Sequence, residues 1–262
     1  MDKNVKVQET ESNAPAAEKN VPAAEKSHVP FAIVEAYKTI RTNIMFILSR
    51  SEKKRVVISS SNVGEGKSTT SINLAIAFAQ LGSKVLLIDG DMRRPSIYKK
   101  MKLSNQKGLS SVLVGFCDIE EAVTTINPCL DVMPSGPIPP NPSELLGGDR
   151  MDELLDKLNE KYEYIFIDTP PINIVSDPLV LAPKTDGIVF IVQDAITTHD
   201  EIIKAKSSIE LAEVKLLGIV VNGSTKSKRA SYNRNRYISG GKYNYNYNYN
   251  YYSAYAYDNN NK

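Results

Sequence analysis

Ser59-Ser60-Ser61-Asn62-Val63-Gly64-Glu65-Gly66-Lys67-Ser68-Thr69 lies between the apolar run Arg55-Val56-Val57-Ile58 and a stretch patterned as a helix from Lys67. A strand, a glycine-rich turn and a helix start, in that order, form the context of a phosphate-binding loop. Gly64 and Gly66 let backbone N–H groups approach phosphate with no Cβ in the way. The helix N-terminus adds partial positive charge, Lys67 neutralises β and γ oxygens, and Ser68 offers a hydroxyl to Mg²⁺. Asn62, Glu65 and Thr69 complete the ATP-contacting loop, and Asn222, at the end of the last apolar run, is the place to look for adenine contacts. The strict pattern G-x-x-x-x-G-K-[ST] is broken at its first position, where Ser61 replaces glycine.

Outward from this loop, short runs rich in Val, Ile and Leu alternate with helical stretches: RVVISS, then KVLLID, LDVMPS, YEYIFID, GIVFIV and KLLGIVV. Strands apolar on nearly every residue belong in a parallel sheet covered by helices on both faces. The expected fold is α/β, a doubly wound, mostly parallel sheet with its ligand cleft at the C-terminal strand edge. Before the first strand, Ile33, Tyr37, Ile40, Ile44, Ile47 and Leu48 recur at helical spacing and predict a helix to about Ser49. The length of 262 residues suits one such domain with tails. Residues 1–28, poor in large apolar side chains, read as a disordered arm, 29–222 as the domain, and 223–262 as a flexible tyrosine-rich tail.

Two acidic motifs accompany the loop. Val85-Leu-Leu-Ile-Asp89-Gly-Asp91 ends an apolar strand in two carboxylates at spacing two, which point the same way if strand geometry continues. Carboxylates beside a triphosphate repel it unless Mg²⁺ intervenes or one of them takes a proton from an incoming hydroxyl, so the pair implies metal-assisted phosphoryl transfer. Tyr164-Ile-Phe-Ile-Asp168 is a second strand whose terminal Asp suits a metal-organising role.

Composition excludes little. The formal net charge of +2 calls for no nucleic acid, and Cys117 and Cys129 lack the spacing of a zinc or redox site. His28 and His199 have no catalytic neighbours in the sequence. The basic run Lys226 to Arg236 reads as a solvated tail and not a specific nucleic-acid site. With no run long enough to span a bilayer, the expected location is cytoplasmic.

The three motifs, together with Pro134-Ser-Gly-Pro-Ile-Pro-Pro-Asn-Pro-Ser-Glu-Leu-Leu146, resemble the bacterial tyrosine kinases of capsule and exopolysaccharide systems over residues 31 to about 222. These are P-loop NTPases of the MinD/ParA-like branch. The resemblance implies ATP and Mg²⁺ as cofactors, Asp89 as base toward a tyrosine hydroxyl, Lys67 and Asp91 as further catalytic groups, and Ser68, Asp91 and Asp168 around the metal. Glu35-Ala-Tyr-Lys38-Thr-Ile-Arg41 is similar to the family's Glu-x-x-Arg-x-x-Arg element, through which subunits associate into a ring; here Lys38 replaces the first arginine and loses its bidentate fork. The resemblance also implies a transmembrane polysaccharide co-polymerase as activating adaptor at the inner face of the plasma membrane, and a cognate tyrosine phosphatase.

The tail carries ten of the fourteen tyrosines, and seven lysines and arginines against one aspartate. Tyr243, Tyr245, Tyr247, Tyr249, Tyr251, Tyr252, Tyr255 and Tyr257 are the expected autophosphorylation sites, modified in trans. Each phosphate adds about −1.5 to −2, so about four reverse the tail's charge, which predicts its release from an Asp-lined cleft. The alternative is a ParA/MinD-like ATPase switch without kinase activity. Those proteins carry a signature lysine early in the loop, where this chain has Asn62, and have no reason to carry a tyrosine tail.

Overall fold

The computed structural model describes residues 30–223. The arm, the tail with its tyrosines, and His28 lie outside the described residues. In chain order the elements are α1 (Phe31–Ile47), β1 (Arg55–Ser60), α2 (Lys67–Ala79), β2 (Val85–Asp89), α3 (Ile97–Met101), α4 (Leu109–Leu113), α5 (Ile119–Ala122), β3 (Thr124–Asn127), β4 (Leu130–Met133), α6 (Pro142–Gly147), α7 (Asp149–Lys161), β5 (Tyr164–Asp168), α8 (Asp177–Leu181), β6 (Ile188–Gln193), α9 (His199–Leu211) and β7 (Leu216–Asn222).

The strands form one sheet in the order β3-β4-β2-β5-β1-β6-β7, parallel except where β3 runs antiparallel to β4. The six apolar runs are the six parallel strands. β3 escapes an apolar reading because Thr124 and Thr125 are exposed on a short polar edge, a composition that discourages pairing with another chain.

Alternate residues of the central strands enter opposite cores, as a doubly wound sheet requires. Val57, Ile165, Ile167 and Phe190 pack with Leu154, Leu155 and Leu158 of α7 and Ile209 of α9. Val56, Ile58, Phe166 and Ile191 pack with Leu74 and Phe78 of α2 and with Ile44 and Leu48 at the end of α1. Coverage fails at one edge: Ile219 and Val221 of β7 are exposed. A register shift between Ile188 and Val189 changes which side chains of β7 face each core, leaving Leu217 and Val220 toward α1 and α2.

The predicted α1 stripe turns inward except at Ile47, and Arg41 follows it. Its Nη1 donates to the carbonyl of Ala77 at 2.7 Å, placing a cation at the C-terminal end of α2 where unpaired carbonyls favour it. Glu35 and Lys38 stay exposed and pair with each other at 2.7 Å. Among the described residues no helix is long and apolar enough to cross a membrane.

Candidate nucleotide and phosphoryl-transfer site

β1 delivers the phosphate-binding loop and α2 receives it. Gly66, immediately before α2, has φ 89°, a left-handed conformation, and a Cβ there would lie 2.0 Å from Asn222 Nδ2. Position 61 needs no such freedom. Ser61 is fully buried, and its Oγ donates to Glu65 Oε1 at 2.9 Å, so the residue that breaks the glycine pattern braces the loop instead. The Glu65 carboxylate also accepts from the Asn62 N–H at 2.9 Å and from Thr197 Oγ1 at 2.5 Å.

Three side chains expected at ATP are thus engaged in the loop's own frame. Glu65 is occupied as described, Asn62 Nδ2 donates to Glu201 Oε1 at 2.6 Å, and Asn222 Nδ2 donates to the Glu65 carbonyl at 3.0 Å. Sequence reasoning missed Thr197 and Glu201. The Thr198-His-Asp-Glu201 spacing announces the capping box that starts α9, a local signal that does not reveal a bond to a loop 139 residues away.

The carboxylates meet at the C-terminal edge of the sheet because β2 and β5 are neighbours in register, with Asp89 directly opposite Asp168. Both are fully buried and Asp91 nearly so. Asp89 Oδ2 accepts the N–H groups of Ser96 and Ile97, each at 3.0 Å, fixing the entry to α3. Burial, reinforced by Asp168, pushes Asp89 up to about 7 despite those bonds. Burial likewise raises Asp168, against the opposing pull of Lys67 and Ser68.

Among the described residues, Lys67 is the cation that pairs with Asp91 and Asp168. Its Nζ lies 2.9 Å from Asp91 Oδ2 and 3.5 Å from Asp168 Oδ2. Burial alone would depress the ammonium, but Asp168 and Asp91 outweigh it and hold it above the usual lysine range. A cleft of about 630 Å³ opens here, lined by Lys67, Ser68, Thr69 and Asp91 and by the apolar Pro170, Pro171 and Ile174. Asp91 lines this cleft; Asp89 sits behind it with no exposed surface. Arg93 reaches across to Asp177, donating to both carboxylate oxygens at 2.8 and 2.9 Å, and ties the start of α6 at Ser143.

Among the described residues no three acidic, histidine or cysteine side chains converge as a self-sufficient metal cage. The donor set nevertheless fits Mg²⁺, which takes one or two carboxylates plus substrate phosphates and keeps its waters. Among the described residues Asp168 Oδ2 is buried with no hydrogen-bond donor, Asp91 shares Lys67 with it, and Ser68 adds a hydroxyl.

A glycine-rich loop before a helix, carboxylates on two adjoining strand ends, and a parallel sheet define a P-loop nucleotide-binding protein. The AAA domain family matches residues 53–194. Tyrosine-protein kinase YwqD of Bacillus subtilis (strain 168) is 45% identical over 199 residues, covering 76% of this chain and 84% of that protein. The putative tyrosine-protein kinase CapB of Staphylococcus aureus is 37% identical over 201 residues, covering 76% and 88%. The crystal structure of the chimerical protein CapA2B2 superposes with a TM-score of 0.71 at 40% identity, over 77% of this chain and 88% of that one. A plasmid partition protein from Borrelia burgdorferi, 24% identical with a TM-score of 0.52 over 66% of this chain and 83% of its own, shares the fold alone. The chain belongs to the AAA-domain P-loop proteins and, within them, to the bacterial tyrosine kinases; it is a protein-tyrosine kinase.

Proposed function

We propose that this kinase uses Mg·ATP to phosphorylate the tyrosines of its own C-terminal tail, Tyr243 to Tyr257, in trans within a homo-oligomeric ring, and thereby regulates capsular or extracellular polysaccharide synthesis. The observation that carries the reading is the meeting of Lys67 with Asp89, Asp91 and Asp168 beside an open cleft, in a chain whose remaining tyrosines are concentrated after Gly223.

In the transfer, the bond between the γ-phosphorus and the β–γ bridging oxygen breaks, a bond from phosphorus to the tyrosine oxygen forms, ADP leaves, and the phenolic proton passes to a carboxylate. A phenol titrates near 10, so it needs a base and alignment more than sequence readout. Asp89, raised to about 7, is matched to that task in strength, and Asp91 is nearer to the cleft. Lys67 leaves Asp91 and Asp168 for the phosphates, which frees both carboxylates. Mg²⁺, when bound, neutralises charge on the phosphate oxygens. The loop backbone around Gly64 and Gly66 and the start of α2 supply N–H donors to the same oxygens.

The family resemblance supports a transmembrane polysaccharide co-polymerase as activating adaptor, recruitment to the inner face of the plasma membrane, and a tyrosine phosphatase as the opposing enzyme. Exposed Glu35 and Lys38 support a ring contact through α1, whereas Arg41 has an intramolecular bond to give up first.

The test is intact mass after incubation with Mg·ATP, with and without the cytoplasmic part of a candidate adaptor. Wild type, Lys67→Met and a chain truncated after Gly223 are compared. Phosphate additions in wild type alone are expected. Intact ATP hydrolysis with no addition under any condition would overturn the kinase reading in favour of an ATPase switch.

A further inference from the structure

From Met92 to Cys117 the chain contains no carboxylate but carries Arg93, Arg94, Lys99, Lys100, Lys102 and Lys107, in a protein whose net charge is only +2. Arg93 is committed to Asp177 and Lys107 to Glu121. Among the described residues, Arg94, Lys99, Lys100 and Lys102 have no carboxylate partner: Lys100 Nζ donates to Thr69 Oγ1 at 3.3 Å, and Lys99 stands over the ring of Tyr98. Arg94 is exposed, its N–H fixed by Asp91 Oδ1 at 2.9 Å. Arg94 and Lys100 line the transfer cleft itself, together with Pro170, Pro171 and Ile174.

We propose that Arg94 and Lys100 form a phosphotyrosine-binding subsite at the mouth of the cleft. It holds a tail tyrosine that already carries phosphate and so presents the tyrosine two residues away for the next transfer. The inference rests on the autokinase reading above.

Three features favour this ligand. The segment from Tyr243 to Tyr251 places tyrosines at every second residue, and in an extended chain residues i and i+2 project to one side about 7 Å apart, a step that moves one acceptor out of the site as the next enters. Charge then selects product over substrate. The unmodified tail, with seven cations to one aspartate, is repelled by a basic wall, whereas each phosphate adds about −1.5 to −2 and three acceptor oxygens that an arginine meets in bidentate fashion. Finally, Arg94 and Lys100 line the cleft, which suits a modified side chain leaving the transfer site better than an anionic lipid surface. On this proposal early phosphates stay at the cleft, which Arg94 and Lys100 line beside Asp91, and release of the tail waits for later ones.

The experiment uses the full, dephosphorylated chain without nucleotide, and synthetic Tyr-Asn repeats with and without one phosphotyrosine. The phosphopeptide is expected to bind more tightly, and Arg94→Gln/Lys100→Gln is expected to weaken it about five- to tenfold, as two partly exposed charge contacts do. With Mg·ATP, the same variant is expected to shift intact-mass distributions from few, highly phosphorylated chains to many singly phosphorylated ones. In chains left with a single tail tyrosine, its initial rate is expected to stay within about twofold of wild type, since the strip acts on the second and later transfers. Equal binding of both peptides, or a variant with unchanged binding, overturns the subsite. A single-tyrosine rate that falls as far as the full-tail rate overturns it in favour of a direct role in transfer. Loss of binding to phosphatidylserine vesicles with peptide binding unchanged overturns it in favour of a membrane contact. Phosphopeptide binding lost in the variant, with no phosphate ever added by wild type, upholds the subsite and sinks only the autokinase reading.

Discussion

The two ends of the parallel strands treat carboxylates in opposite ways. At the C-terminal edge Asp89, Asp91 and Asp168 crowd around one lysine, and Asp89 and Asp168 titrate high. At the N-terminal edge four acids are matched with donors. Asp156 takes Lys53 and the nearly buried Arg55, Asp152 takes Lys184, Asp186 accepts the Arg55 N–H at 2.7 Å, and Asp131 accepts the Tyr162 hydroxyl at 2.6 Å. There Lys53 and Arg55 hold Asp156 down to about 2, and burial with Asp131 pushes the Tyr162 phenol up to about 12. One edge is arranged for stability. The other crowds three carboxylates around Lys67.

The contrast can be broken first at Lys67. Lys67→Met is expected to lower tyrosine phosphorylation at least about 100-fold, the scale of losing one preorganised transition-state charge, read as initial rate by intact mass. At the paired edge, Arg55→Met removes donors from Asp156, Asn159 and the Lys184 carbonyl, so it is expected to cost about 2–3 kcal/mol in urea unfolding while leaving nucleotide binding intact.

Asp89→Asn sharpens the contrast with an opposite sign. Asp89 is raised in the folded state, so the fold binds more protons than the unfolded chain between its unfolded pKa and about 7. Its contribution is therefore most favourable at low pH and is lost as pH rises through that window. At pH 8, in chelator and without nucleotide, Asp89→Asn is expected to gain roughly 1–2 kcal/mol and to flatten stability between pH 4 and 7, while phosphoryl transfer collapses. A variant that is less stable at pH 8 would show that the bonds to Ser96 and Ile97 outweigh the charge crowding.

The smallest effect is expected from Asp156→Asn, because its carboxylate is largely exposed. Asp156 is depressed, so its contribution is present above the ordinary aspartate range and is lost as pH falls toward about 2. A slight loss of thermal stability at neutral pH that disappears in about 0.5 M salt is the outcome to look for.

These differences mark how far local patterns reach. The phosphate loop was legible because strand, glycines, lysine and helix are contiguous, and the two acidic motifs because each ends an apolar run. Asn62 and Glu65 were read as ATP contacts on the strength of the same contiguity, yet their side chains brace the loop through Ser61, Thr197 and Glu201. β3 was invisible because two exposed threonines on a polar edge leave no apolar signature.

By itself the sequence determined the alternation of strand and helix, the phosphate-binding loop and the placing of acids at two strand ends, since all of these follow from residue types at short, fixed spacings. Only the tertiary structure decided that Asp89 faces Asp168, that Arg41 turns onto Ala77, and that Arg94 and Lys100 share a cleft with Lys67. Strand order and register bring together groups distant along the chain, and burial raises Asp89 and Asp168 above the ordinary carboxylate range.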